Sequence, residues 1–216
     1  NIGSIHNTQG NVLKALDAYN IAMKEFKNDS NKLAVVTNNI AGIYYGQKDF
    51  NKAIKLYTKS VGIYSKLNPI NVANGLNNIG SCYIELKKPD SALNKFYEAV
   101  NIGRKYEDKR IMGMSYQNIG LVNLELDKYE IAEDYFSKAI NLYKELGLKK
   151  EIIGCQNAIG QLLFELENYK KSNYYLMNSF KLSKELGFVN EVMESSEFLY
   201  KLNRKIGSNI KALSYF

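Results

Sequence analysis

Three apolar columns recur along this chain in step with one another. The first holds Ile2, Ile40, Ile79, Ile119, Ile159 and Leu199, and the second Ala15, Ala53, Ala92, Ala132, Ser172 and Ala212. The third holds Tyr19, Tyr57, Phe96, Phe136, Leu176 and Phe216. All three advance by 38, 39, 40, 40 and 40 residues. Composition does not keep three columns in one frame, so the period marks a repeated supersecondary unit stacked on its own copies. A unit of this size cannot bury its apolar face alone. The chain must therefore fold as an array in which each copy covers its neighbour.

Each unit reads as two helices. In the third, Ile70–Leu86 carries apolar residues at helical spacing, Lys87-Lys88-Pro89 interrupts it, and Ser91–Tyr106 is a second amphipathic run. Pro89 falls where a new helix starts, the position at which its missing N–H costs little. The other short breaks are Gly46–Asp49, Leu126–Lys128 and Leu166–Asn168, each followed by an aromatic residue, Phe50, Tyr129 or Tyr169. Longer breaks rich in Gly, Pro, Asn or charge separate the units. No stretch alternates with period two for long enough to argue for a strand.

Within the units, Ile79-Gly80, Tyr83, Ala92, Phe96 and Ala99 form one pattern. Ile40-Ala41, Tyr44, Ala53, Tyr57 and Ser60 repeat it, as do Ile119-Gly120, Ala132, Phe136 and Ala139. The pattern resembles the tetratricopeptide repeat, with two departures. The period is about forty residues rather than about thirty-four, and the family's Trp and closing Pro are missing. This is similar to the long-repeat branch found in kinesin light chains, Leu-Gly-Asn-type adaptors and bacterial sensor regulators.

The resemblance implies an all-α fold, a right-handed superhelical solenoid of antiparallel helix pairs. It would hold five to six units, at about 1–28, 29–67, 68–107, 108–147, 148–187 and 188–216. It also implies that the first helices line a concave surface and the second helices a convex one. Small residues in the Gly and Ala columns are expected to let the two helices approach closely. The sequence opens at Ile2-Gly3 inside a first helix and stops at Phe216 inside a second. The expectation is therefore a fragment of a longer protein whose uncapped ends fray or self-associate.

A formal net charge of +7 invites a nucleic-acid reading, but its placement argues against one. Leu33–Gln47, Ile70–Ile84, Ile111–Leu124 and Ile152–Phe164, on the inner first helices, contain no charged residue. Lys52, Lys55, Lys59, Lys87, Lys88, Arg104, Lys105, Lys109, Arg110, Lys149 and Lys150 are assigned instead to second helices and loops. A nucleic-acid site needs a basic track with stacking partners along one face. The same gap excludes the Lys and Arg grip by which related adaptors hold an acidic C-terminus. The last unit differs, with Glu191, Glu194, Glu197, Lys201 and Arg204 on its first helix. That is either a solvated end or a charged end to the groove.

No apolar run approaches the ~20 residues of a membrane helix, so no membrane role is expected. Cys82 and Cys155 sit on first helices two units apart, beyond disulfide reach, and read as buried apolar fillers. Unbridged cysteines point toward a reducing, cytoplasmic setting, with a periplasmic sensor domain as the alternative.

Two residues before the Ile column stand Asn38, Asn77, Gln117 and Asn157. Asn is a poor helix-interior residue because its amide competes for the backbone. A row of amides, each both donor and acceptor, suits the main chain of an extended peptide whatever its sequence. The long-repeat adaptors and peptide sensors are similar in using such a ladder. Seven residues on, Tyr45, Ile84, Leu124 and Phe164 are candidate side-chain pockets. Between them lie Gly42, Ser81, Leu121 and Gln161, mostly small enough to admit a backbone. The adjacent Asn39, Asn78 and Asn118 either join the ladder or bond between helices, and interhelical bonding is equally the alternative for the ladder itself.

Catalysis finds little footing. The single histidine, His6, occupies a slot usually held by Tyr, and no phosphate-binding Gly loop or metal-ligand spacing occurs. The sequence therefore reads as a non-enzymatic, cofactor-free module with a neutral, Asn/Gln-lined groove for a protein or extended peptide. The alternative is the ligand-sensing domain of a bacterial transcription regulator or sensor kinase.

Overall fold

A computed structural model describes residues 11–208 together with 212 and 214. Among these residues there are ten α-helices and no strands. The chain forms two compact units, Asn1–Ile111 and Met112–Phe216. The first contains α1 (Val12–Glu25), α2 (Ser30–Gly46), α3 (Phe50–Tyr64), α4 (Pro69–Glu85) and α5 (Pro89–Lys105). The second contains most of α6 (Lys109–Glu125), then α7 (Tyr129–Glu145), α8 (Lys149–Glu165), α9 (Tyr169–Leu186) and α10 (Val189–Lys205). Within each unit consecutive helices pack together, and α10 also packs on α8, the first helix of the preceding pair. This is the all-α, stacked helix-pair fold that the period predicts, with about five repeats. Ile2, Gly3, His6 and Phe216 lie outside the described residues. Lys109 and Arg110 open α6, and Lys149 and Lys150 open α8, so these four lie on the first turns of first helices and not on second helices or loops as expected.

The three columns are the core. All members of the Ala column, including Ser172 and Ala212, are fully buried. The Ile and aromatic columns are buried wherever they are described. Close approach explains the glycines. A Cβ built on Gly80 would fall 2.4 Å from the Phe96 ring, and one on Gly120 2.8 Å from Phe136. On Gly160 it would fall 2.6 Å from Leu176. In the α2–α3 pair the slot is Ala41, which faces Tyr57 in a shared cluster with Ala53. Where serine replaces alanine its hydroxyl needs a partner. Ser172 Oγ donates to the Gly160 carbonyl at 2.6 Å, and Ser60 Oγ to that of Ala34 at 2.9 Å.

Apart from the four-residue turns at 26–29 and 65–68, the described turns share one construction built on a left-handed residue. After α4, the Lys87 N–H bonds to the Ile84 carbonyl and the Lys88 N–H to that of Tyr83, with Lys87 left-handed at φ 56°. This is the Schellman arrangement, which satisfies the last carbonyls of a helix. The residue two past the C-cap already caps the next helix, so three residues reverse the chain. Asp49 and Asn168 in that position accept from the N–H of Lys52 and Lys171. Lys88 lacks a capping side chain but is followed by Pro89 at the first helical position. The left-handed position is Gly147, Gly187 or Gly207 in three turns. It is Lys48, Lys87, Glu107, Asp127 or Glu167 in five others, although an L side chain is strained there.

Two substitutions separate these constraints. Gly80→Ala should lower the melting temperature by about 2–8 °C, because the methyl meets a fully buried ring that has nowhere to go, despite alanine's better helix propensity. Glu167→Gly should raise it by about 1–3 °C by relieving the left-handed backbone, less the added freedom of the unfolded chain. Thermal unfolding followed by circular dichroism reads both. A Gly80→Ala chain that melts no earlier would remove the glycine–ring contact as the reason for this column.

Candidate functional site

The amides sit on the first helices, but their neighbours give each a different role. In the first unit, Asn38 on α2 is half-buried, and its Oδ1 accepts from Nδ2 of Asn78 on α4 at 3.5 Å. Asn77, one residue earlier, is only 2% exposed, and its Nδ2 donates to the Ala73 carbonyl of its own helix at 3.2 Å. Ser81 Oγ donates to the Asn77 carbonyl at 3.1 Å. The Asn38–Asn78 pair thus joins α2 to α4.

Tyr45 and Ile84 flank these amides and are half-buried. The Tyr45 ring meets Phe50 edge-on at 5.5 Å. Burial first, and then the negative charge of Glu85 on α4, push its hydroxyl above the ordinary tyrosine range.

In the second unit, Gln117 on α6 is half-buried, and its Oε1 accepts from the Tyr143 hydroxyl of α7 at 2.9 Å. Leu121 and Leu124 continue the same face of α6, with Leu121 exposed. Asn157 on α8 is 2% exposed, and its Nδ2 donates to Glu194 Oε2 of α10 at 2.9 Å. Its Oδ1 is buried and makes no hydrogen bond. Lys150 pairs with Glu191 at 3.2 Å across the same two helices. Gln161 is half-buried, one turn beyond Asn157.

Phe164 lies at the edge of an open cavity of about 360 Å³ that it shares with Tyr200, Lys201, Arg204 and Lys205. The pocket expected at this position therefore has a basic wall supplied by α10. The acids of α10 are engaged: Glu191 with Lys150, Glu194 with Asn157 and Glu197 with Lys201.

Two features of this face did not emerge from the sequence. Tyr143 is buried against Gly113, whose Cβ would fall 2.8 Å from the ring, and it fixes Gln117 from a second helix. Glu194 fixes Asn157 in the same way. The only trace in the sequence is the 26-residue step from Gln117 to Tyr143, which matches the 26-residue step of the Ser60–Ala34 and Ser179–Ile153 bonds.

The thiols are not part of this face. Burial pushes Cys82 up to about 11 and Cys155 up to about 12, so neither forms the reactive thiolate near neutral pH. Among the described residues no group of three or more His, Cys, Asp or Glu is placed to hold a metal, and no helix is long and apolar enough to cross a membrane.

Glu194→Ala should destabilise the chain by about 1–2 kcal/mol, because it leaves the buried Asn157 amide without its acceptor. Glu197→Ala, which removes an exposed pair one turn away, should cost less than about 0.5 kcal/mol. Urea unfolding of both variants checks the difference. Equal, small effects would show that the Asn157–Glu194 bond does not tie α8 to α10.

The comparisons with known proteins agree with this architecture. Aspartyl phosphate phosphatase F from Bacillus subtilis matches with a TM-score of 0.83 at 19% identity, over 99% of this chain and 66% of that one. The Rap conjugation gene regulator of the plasmid pLS20, in complex with the Phr peptide, matches with a TM-score of 0.73 at 16% identity, over 99% and 69%. A Signal Transduction ATPase with Numerous Domains from Pyrococcus horikoshii, which carries a tetratricopeptide repeat sensor, matches with a TM-score of 0.84 at 15% identity, over 99% and 34%. The chain thus spans about two thirds of the first two and a third of the last. No curated protein matches in sequence. The sequence profile of the tetratricopeptide repeat matches residues 1–66 and 71–145, and on that match and this fold the chain belongs to the tetratricopeptide repeat family.

Proposed function

We infer that the chain is a non-enzymatic module that binds an extended peptide segment through the first-helix face of each unit. The observation that carries this reading is the chemistry of that face. Between residues 33 and 47, 70 and 84, 111 and 124, and 152 and 164 it holds no charge, yet it presents side-chain amides beside apolar positions. A neutral face with donors and acceptors suits a peptide main chain, with Tyr45, Ile84, Leu124 and Phe164 receiving side chains.

The amides that are half-buried rather than enclosed, Asn38 with Asn78 and Gln117 with its neighbour Asn118, are the ones a peptide reaches first. Asn77 and Asn157 support the face from beneath. The similar fold of a Rap regulator described in complex with a peptide favours the same use here. The tetratricopeptide repeat sensor of the Pyrococcus protein favours a second reading, in which peptide binding is the input of a sensory domain. The absence of a reactive thiolate at Cys82 or Cys155 fits a binding rather than a covalent-catalytic role.

A random heptapeptide library displayed on phage should yield binders to this chain. A synthetic copy of the best one, titrated calorimetrically, should change affinity by less than about threefold between low and high salt, since screening weakens charge-driven binding. Gln117→Ala should weaken it by about tenfold, with a loss of about 1 kcal/mol of stability because the Tyr143 hydroxyl gives up its acceptor. A steep salt dependence would move the site to the basic second-helix surface. Recovery of no peptide would overturn the reading.

A further inference from the structure

The net charge of +7 is not spread over the molecule. Asn1–Ile111 holds sixteen Lys and Arg against nine Asp and Glu, whereas Met112–Phe216 holds thirteen of each. The whole excess therefore belongs to the first compact unit. Within it no acid occurs between Asp49 and Glu85, and the only cations in that interval are Lys52, Lys55, Lys59 and Lys66. Three of them lie on α3 and the fourth just past its end.

Steps of three and four residues put Lys52, Lys55 and Lys59 on one face of the helix, and Gly62 continues that face toward Lys66. All four lysines are exposed, and among the described residues none is within ion-pair distance of an acid. The other exposed positions from 50 to 66 are Asn51, Thr58, Gly62 and Ser65, so the face carries no apolar side chain. A Cβ added at Gly62 would meet nothing within 4 Å, which leaves the backbone open between Lys59 and Lys66. The second helices α5 and α7 mix signs instead, with Lys95 paired to Glu98 and Lys138 to Asp134. On α9 the lysines cluster at the two ends, Lys170 and Lys171 against Lys181 and Lys184, within the unit whose charges balance.

We propose that this face of α3 is a docking surface for the phosphate backbone of duplex DNA, bound without regard to sequence. The chemistry of the face selects among polyanions. A protein partner is held by aromatic or apolar anchors at the centre of its interface, and this face has none. A membrane holds a basic helix firmly only when apolar side chains also enter the lipid. A single strand needs rings to stack on, and the Tyr44 ring is already covered by Lys52 at 3.9 Å. A duplex needs none of these. Its backbone, with one charge per about 1.7 Å of axis, is met by lysines alone. The row spans about 10 Å from Lys52 to Lys59 and is prolonged by Lys66. Lysine at every position, and arginine at none, suits phosphate contact rather than the bidentate reading of bases. The surface lies on a second helix and does not depend on the peptide-binding reading of the first helices.

The probe is a fluorescein-labelled DNA duplex of about twenty base pairs, a length over which the backbone charge is continuous. It is titrated with the 216-residue chain by anisotropy at several salt concentrations. Four phosphate contacts should make the affinity fall roughly a hundredfold between about 50 and about 200 mM salt. Lys55→Glu with Lys59→Glu should weaken binding by at least about tenfold. The uncharged pair Lys55→Gln with Lys59→Gln should lower the logarithmic salt slope by about two. Both positions are exposed, so the melting temperature of each variant should stay within about 2 °C of the parent.

Lys170→Glu with Lys171→Glu makes the same change in net charge on α9, and should shift the affinity by less than about threefold. Equal losses from the two glutamate pairs would overturn the surface, because net charge alone would then account for binding. Tighter binding to anionic lipid vesicles through the same lysines would also overturn it, as would no duplex binding at about 50 mM salt. Gln117→Ala should bind the duplex as the parent does, which keeps this test separate from that of the peptide site.

Discussion

The contact between a small residue on each inner first helix and a bulky side chain on its partner governs most of what this chain can do. Phe96 over Gly80, Phe136 over Gly120 and Leu176 over Gly160 bring two backbones closer than any larger residue would permit. At that separation the first helix is covered on one side by its partner and, within a compact unit, on the other by its neighbouring pair. Little of it remains in water. Charged side chains there would lose hydration without reliable partners, which is why the four inner first helices carry none over most of their length. The second helices keep an exposed face and take the lysines, several of which rest their ammonium groups over tyrosine or phenylalanine rings, as Lys52 does over Tyr44 at 3.9 Å.

The turns keep this contact in register. A three-residue reversal that ends one helix and caps the next leaves no slack, so each second helix meets its partner at the same height in every repeat. The strain of Lys48, Lys87, Glu107, Asp127 and Glu167 in the left-handed region is a local cost. The stacking of whole helix pairs offsets it, because the free energy of a repeat array resides in its nearest-neighbour interfaces.

In the proposed function, binding falls to the narrow remainder of first-helix surface that the stacking leaves accessible. Its polarity is set from outside the helix that bears it. Gln117 is oriented by Tyr143 of α7, Asn157 by Glu194 of α10, and Asn38 by Asn78 of α4. An amide held at one end offers a defined donor or acceptor at the other, and a neutral surface of fixed polarity can select a backbone without selecting a charge. The basic wall beside Phe164, from Lys201, Arg204 and Lys205, supplies charge only at the edge of that surface.

By itself the sequence determined the two-helix period, the buried Ile, Ala and aromatic columns, the glycine or alanine beneath each bulky residue, and the absence of charge from the inner first helices. These follow from periodicity and residue size, which act locally and repeat. The amide column was visible as a register but not as a surface. Asn77 and Asn78 are neighbours in sequence, yet about a hundred degrees apart around the helix. One is enclosed and bonds to its own backbone, while the other reaches Asn38. The tertiary structure alone decided which amides are enclosed and that the Tyr143 hydroxyl binds Gln117. Those outcomes depend on long side chains arriving from a different helix, and no spacing within one helix records where they end.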